Sequence, residues 1–86
     1  MATQLVENKV NDKTLLQMAR KRIALPDNWI DMKYSYEADV LYILCSSNKP
    51  KRSKGDVRNG IVYDYDAQDN LVSIELTDLL GVFATA

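Results

Sequence analysis

The chain has 86 residues, 47% hydrophobic and 27% charged, with a formal net charge of −1, which fits one small domain with a single core. Its single cysteine excludes an internal disulfide, and the absence of histidine removes Ser-His and Cys-His pairs and the commonest transition-metal ligand. A chain this short buries only roughly 60 to 65% of its unfolded surface, so a partner that extends the core has much to add.

The small net charge hides a segregation. Residues 1 to 22 carry five basic and two acidic groups, residues 23 to 47 one and four, residues 48 to 58 five and one, and residues 59 to 86 none and five. Alternating blocks of this kind suit charge complementarity within the fold or with a second copy at least as well as they suit nucleic acid. Residues 1 to 9 lack an apolar core followed by a small-residue cleavage site, and no segment approaches the roughly 20 apolar residues of a membrane span. The expectation is a cytoplasmic protein with no membrane partner.

In chain order, residues 1 to 10 are expected to be disordered, and a helix is expected over 11 to 24. Asn11 or Asp12 can cap it, and Leu15, Leu16, Ala19 and Ile23 share one face. Arg20, Lys21 and Arg22 in its last turn complement the helix dipole. Leu25-Pro26-Asp27-Asn28 stops it, because Pro26 disfavours helical geometry at Leu25. From residue 29 to 86 the pattern is that of a sheet with a short C-terminal helix, the whole forming one domain. Ile30, Met32, Tyr34 and Tyr36 alternate with Asp31, Lys33 and Ser35, the period of a strand with one wet face. Val40-Leu41-Tyr42-Ile43-Leu44-Cys45, the longest apolar run, reads as the central strand: Val40, Tyr42 and Leu44 need one cover, and Leu41, Ile43 and Cys45 another. Ser46 to Asn59 is irregular, with a short edge strand expected near Lys54 to Arg58. Ile61 to Asp66 and Leu71 to Leu76 alternate as two more strands around the turn Ala67-Gln68-Asp69-Asn70. Thr77 or Asp78 can cap a last helix containing Leu79, Leu80, Val82 and Phe83.

The blocks Tyr34-Ser-Tyr-Glu-Ala-Asp-Val-Leu-Tyr-Ile43, Asn59-Gly-Ile-Val-Tyr-Asp-Tyr-Asp66 and Asn70-Leu-Val-Ser-Ile-Glu-Leu76 resemble the domain of unknown function 2283 family, small and mostly prokaryotic proteins, over residues 29 to 83. The stretch Glu37 to Ile43 is its most distinctive part. The preceding helix and Leu25-Pro-Asp-Asn-Trp29 resemble an N-terminal extension of some members. The resemblance implies a small antiparallel sheet with a helix and points toward an antitoxin-like or regulatory role. The family has no established activity and supplies no catalytic residues to carry over.

Among chemical motifs, counting from Asp64 superficially matches a calcium loop, but the position that requires glycine is Asp69, and both flanks alternate like strands. Asp64, Asp66 and Glu75 could share one face of a hairpin and act as a metal-dependent hydrolase site, yet nothing supplies a nucleophile, a cofactor loop or oxyanion donors. No catalytic residue, metal ligand or cofactor is therefore assigned. Arg20, Lys21, Arg22, Lys49, Lys51, Arg52 and Lys54 could contact phosphates, although the sequence pI is near 5.2. The tyrosines read as cross-strand core pairs in preference to stacking platforms for bases. Cys45 reads as an inert small hydrophobe, and Trp29 as an anchor for the helix or an interface residue.

The expected architecture is α+β: an N-terminal helix, a three- to five-stranded antiparallel meander centred on Val40 to Cys45, and a short C-terminal helix. One helix covers one sheet face, so Leu41, Ile43, Cys45 and Trp29 are the candidate interface of a two-fold homodimer. The leading functional expectation is a non-enzymatic interaction module that binds itself or another small protein. The alternatives are a nucleic-acid-binding regulator and, behind it, the hydrolase.

Overall fold

The computed structural model describes residues 11–81. It contains a helix, α1 (Asp12–Arg20), and five strands: β1 (Asp31–Ser35), β2 (Val40–Leu44), β3 (Arg52–Asp56), β4 (Ile61–Tyr65) and β5 (Leu71–Thr77). They form one antiparallel sheet in the order β1-β2-β5-β4-β3. The meander therefore covers β3 to β5, and the β1–β2 hairpin docks on its end through β2 and β5. The middle strand is β5, not β2. The apolar run marks a strand flanked on both sides and apolar on both faces, and neither property requires it to be central.

Asn11 caps α1 by accepting a hydrogen bond from the Thr14 backbone N–H at 2.9 Å. The helix ends at Arg20, earlier than its apolar spacing suggests, because the Arg22 and Ile23 amides both turn back to the Ala19 carbonyl at 2.9 Å. A nine-residue helix is marginal alone. It persists because Leu15 and Ala19 are buried against Leu41, Ile43, Ile61, Ile74, Leu76 and Leu79. Each large aliphatic side chain removed from water in this layer contributes about 1.5 to 3 kcal/mol. Trp29 packs partly buried against the same core.

Two hairpins are built alike. The loops 36–39 and 57–60 each have four residues and end on a left-handed residue, Asp39 at φ 55° and Gly60 at φ 66°, immediately before the return strand. Only glycine adopts this conformation without cost, and Asp tolerates it better than most residues. The β4–β5 turn uses Asp69 at φ 67°, and a register shift in β5 leaves Val72 as an extra residue between the pairs Asp64–Ser73 and Tyr65–Leu71. Its carbonyl accepts from the amides of Cys45 and Ser46 at 2.7 and 3.1 Å, which turns the chain out of β2.

The expected C-terminal helix is absent from the described residues: Asp78 to Leu80 form a bend and Gly81 is left-handed at φ 72°. Val82 and Phe83, assigned to that helix, and residues 1–10, expected to be disordered, lie outside the described residues. Among the described residues no helix is long and apolar enough to cross a membrane.

Candidate functional site

Strand register divides the sheet into two unlike faces. Towards α1 point Met32 and Tyr34 of β1, Leu41 and Ile43 of β2, Ile74 and Leu76 of β5, and Ile61 and Tyr63 of β4. Leu41, Ile43 and Cys45, the expected interface, thus lie in the core beneath the helix, and burial pushes the Cys45 thiol pKa up. The structure leaves them no surface to offer a partner. The interface reading is corrected for these three: the helix covers the face that sequence reasoning had left to a dimer.

The opposite face is open. Across it the register lines up Lys33, Tyr42, Glu75 and Val62 in one row and Asp31, Leu44, Ser73 and Asp64 in the next. Tyr42 and Leu44 are 40% and 37% exposed, large apolar groups on strand residues with no element over them among the described residues. On the β4 side Asp64 is buried and accepts hydrogen bonds from the hydroxyls of Ser53 at 2.5 Å and Ser73 at 2.7 Å. Glu75 stands beside it. Burial, then a hydrogen bond with Asp64 and the Asp64 charge, raise the Glu75 pKa above the ordinary carboxylate range. On the β1 side Lys33 is exposed and has no carboxylate within ion-pair distance among the described residues.

The third member of the expected acidic trio is elsewhere. Asp66 caps the β4–β5 turn, accepting from the amides of Gln68 and Asn70 at 2.9 Å and from the Asn48 side chain at 2.9 Å. The Asn70 amide first, then the Asn48 side chain, hold its pKa below the usual range. Asp64, Asp66 and Glu75 do not converge, and among the described residues no three Cys, Asp or Glu side chains are grouped to hold a metal.

The basic residues are also divided. Arg22 is committed to structure: its guanidinium donates to the carbonyls of Asn59, Thr77 and Gly60 at 2.6, 2.8 and 3.2 Å, tying the helix exit to the sheet. Arg52 forms an ion pair with Asp69. Lys51, Arg52 and Lys54 lie on or beside β3, an exposed edge strand, where charge discourages edge-to-edge pairing. Arg20 and Lys21 lie at the end of the helix, and Lys49 lies in the exposed link before β3. Of these cations, Arg22 and Arg52 are engaged in contacts within the chain.

Sequence reasoning missed the role of Asp39. This fully buried carboxylate accepts from the Tyr34 hydroxyl and from the amides of Leu80 and Gly81 at 2.9 and 3.0 Å. It binds the first hairpin to the segment after β5. Burial, the hydrogen bond to Asp39 and its negative charge in turn raise the Tyr34 pKa. The signal available was position: a lone acid directly before the most apolar run, at the end of a four-residue turn.

Fold and site together define a small α+β domain in which one helix backs one face of a five-stranded antiparallel sheet, and among the described residues no element covers the other face. The chain belongs to the family described as protein of unknown function (DUF2283), whose model matches residues 31–79. The match begins at β1 and ends at Leu79, so it takes in all five strands and Asp39 and omits α1. No curated protein and no solved structure matches the chain.

Proposed function

We propose that the protein is a non-enzymatic interaction module that binds another polypeptide over the open face of its sheet. The observation that carries this reading is the exposure of Tyr42 and Leu44 on a five-stranded sheet whose other face is already filled by α1. A tyrosine flanked by an aliphatic side chain and framed by charge has the composition of an interface centre with a polar rim. The dispersal of Arg22 and Arg52 into intramolecular contacts weighs against the nucleic-acid reading.

A photo-crosslinking amino acid placed at Tyr42, compared with one at Ala67 in the exposed β4–β5 turn, tests this in cells of the native host. The expected result is a discrete protein adduct from position 42 and none from position 67. Adducts from neither position, or from both alike, would remove the open face from consideration.

A further inference from the structure

We infer that the open face takes a second copy of this chain, stacked about a two-fold axis that runs along β2, so that Lys33 of each protomer meets Glu75 of the other. The inference rests on the interaction-module reading and names its partner.

Tyr42 pairs with Lys33 on one side and with Glu75 on the other, and Leu44 pairs likewise with Asp31 and Ser73. Neighbouring strands are about 4.8 Å apart in both directions, so Lys33 and Glu75 are equidistant from Tyr42. A two-fold axis above β2 and parallel to it exchanges the two flanks without moving residues along the strand. It sets Tyr42 against Tyr42 and Leu44 against Leu44. It also sets Lys33 over the partner's Glu75, twice per dimer, and Asp31 over the partner's Ser73. An interface of this symmetry must be self-complementary, and here Lys33, a cation with no ion pair among the described residues, is brought to the side of a crowded carboxyl pair, Glu75 with Asp64. Sheets packed face to face lie about 10 Å apart with strand directions within about 30°, a gap that a long lysine and a glutamate side chain can bridge. Shifting the axis to β5 would instead bring Asp64 over the partner's Leu44 and pair Glu75 with its own copy, adding repulsion where the axis on β2 removes it.

The facing area is small. Three strands of five residues span about 14 by 17 Å, below the roughly 800 Å² per partner of a standard interface, so the dimer belongs to the weak, reversible class.

Sedimentation equilibrium on the full chain at low salt tests it with three variants: K33E, E75K and the double exchange K33E/E75K. Each single reversal sets like charges opposite each other at both pairs and is expected to weaken the dimer at least about tenfold, while the double exchange restores it to near the wild-type value. Far-ultraviolet circular dichroism confirms that all three fold, since Lys33 is exposed and Glu75 half-buried at the surface. A dimer indifferent to every reversal, or one lost in the singles and not regained in the double, overturns this arrangement. A wild-type chain that stays monomeric overturns it as well. The interaction-module reading then stands or falls separately on whether Tyr42 crosslinks to a different protein.

Discussion

Replacing Asp39 by alanine removes the acceptor that the Tyr34 hydroxyl and the Leu80 and Gly81 amides share. The tail amides can turn to water, but the Tyr34 hydroxyl loses its partner in a part-buried site, at a cost of about 1 to 3 kcal/mol. Alanine must also hold φ 55°, which costs a further 1 to 2 kcal/mol, roughly, for a residue with a Cβ and no local hydrogen bond to offset it. The sum, about 2 to 5 kcal/mol, is a large share of the roughly 5 to 15 kcal/mol that holds a domain together. For a domain of this size each kcal/mol shifts the melting midpoint by about 4 to 8 °C, so Asp39→Ala should melt at least about 10 °C below wild type. Asp39→Asn is the informative control. It tolerates the left-handed backbone, its carbonyl oxygen can accept from a tail amide, and its amide can donate to the Tyr34 oxygen, so its loss should stay near 1 kcal/mol, about one net hydrogen bond. Thermal melts followed by circular dichroism decide the matter. Asp39→Ala within about 0.5 kcal/mol of wild type, a change ordinary for an unremarkable surface site, or Asp39→Asn as damaging as Asp39→Ala, would refute the reasoning.

Glu75→Gln should raise the melting midpoint at pH 7 by a few degrees at concentrations where the chain is monomeric, since like charges side by side on a sheet cost up to about 1 kcal/mol. The sign follows from its raised pKa: the protonated form is favoured in the fold, so the stability it gives is complete below the unfolded carboxylate value and lost as pH rises through the folded one. At pH 3 the variant and wild type should melt alike. Asp66 has the opposite sign, because its lowered pKa gives stability above the unfolded Asp value that disappears as pH falls through the folded value. Urea midpoints measured from pH 6 down to pH 2 should fall less steeply for Asp66→Asn than for wild type. Gly60→Ala should lose about 2 kcal/mol or more by urea denaturation, because a Cβ there adopts φ +66° and overlaps the Thr77 hydroxyl oxygen.

Alternation made the strands legible. Ser73 and Glu75 between Val72, Ile74 and Leu76 mark one wet and one dry face without any knowledge of neighbours. The length of the irregular stretch Ser46 to Asn59 pointed to a short edge strand near Lys54 to Arg58, and β3 lies slightly before that stretch. What alternation could not give was the choice of face on β2. Leu41, Ile43 and Cys45 and the set Val40, Tyr42 and Leu44 are about equally apolar, and only the pairing of Tyr42 with Glu75 and of Ile43 with Ile74 decides which set lies under the helix. That pairing is non-local, as is the strand order that places β5 between β2 and β4. The expected last helix is missing from the described residues for a non-local reason. Its first residues are drawn to Asp39, with the Leu79 amide donating to the Asp39 carbonyl at 3.2 Å and the Leu80 and Gly81 amides to its carboxylate. A distant acid outcompeted the capping signal of Thr77 and Asp78. Arg22 shows the same limit: a cation at a helix end looks free for phosphate until the carbonyls of Asn59, Gly60 and Thr77 are brought to it.

The central claim, that the molecule associates through the open face of its sheet while its helix face is closed core, is tested most directly by sedimentation equilibrium of wild type beside the double variant Tyr42→Lys/Leu44→Thr. If the claim holds, wild type forms a concentration-dependent dimer, and the variant is a monomer with an undiminished melting midpoint. Equal self-association of the two proteins would contradict it.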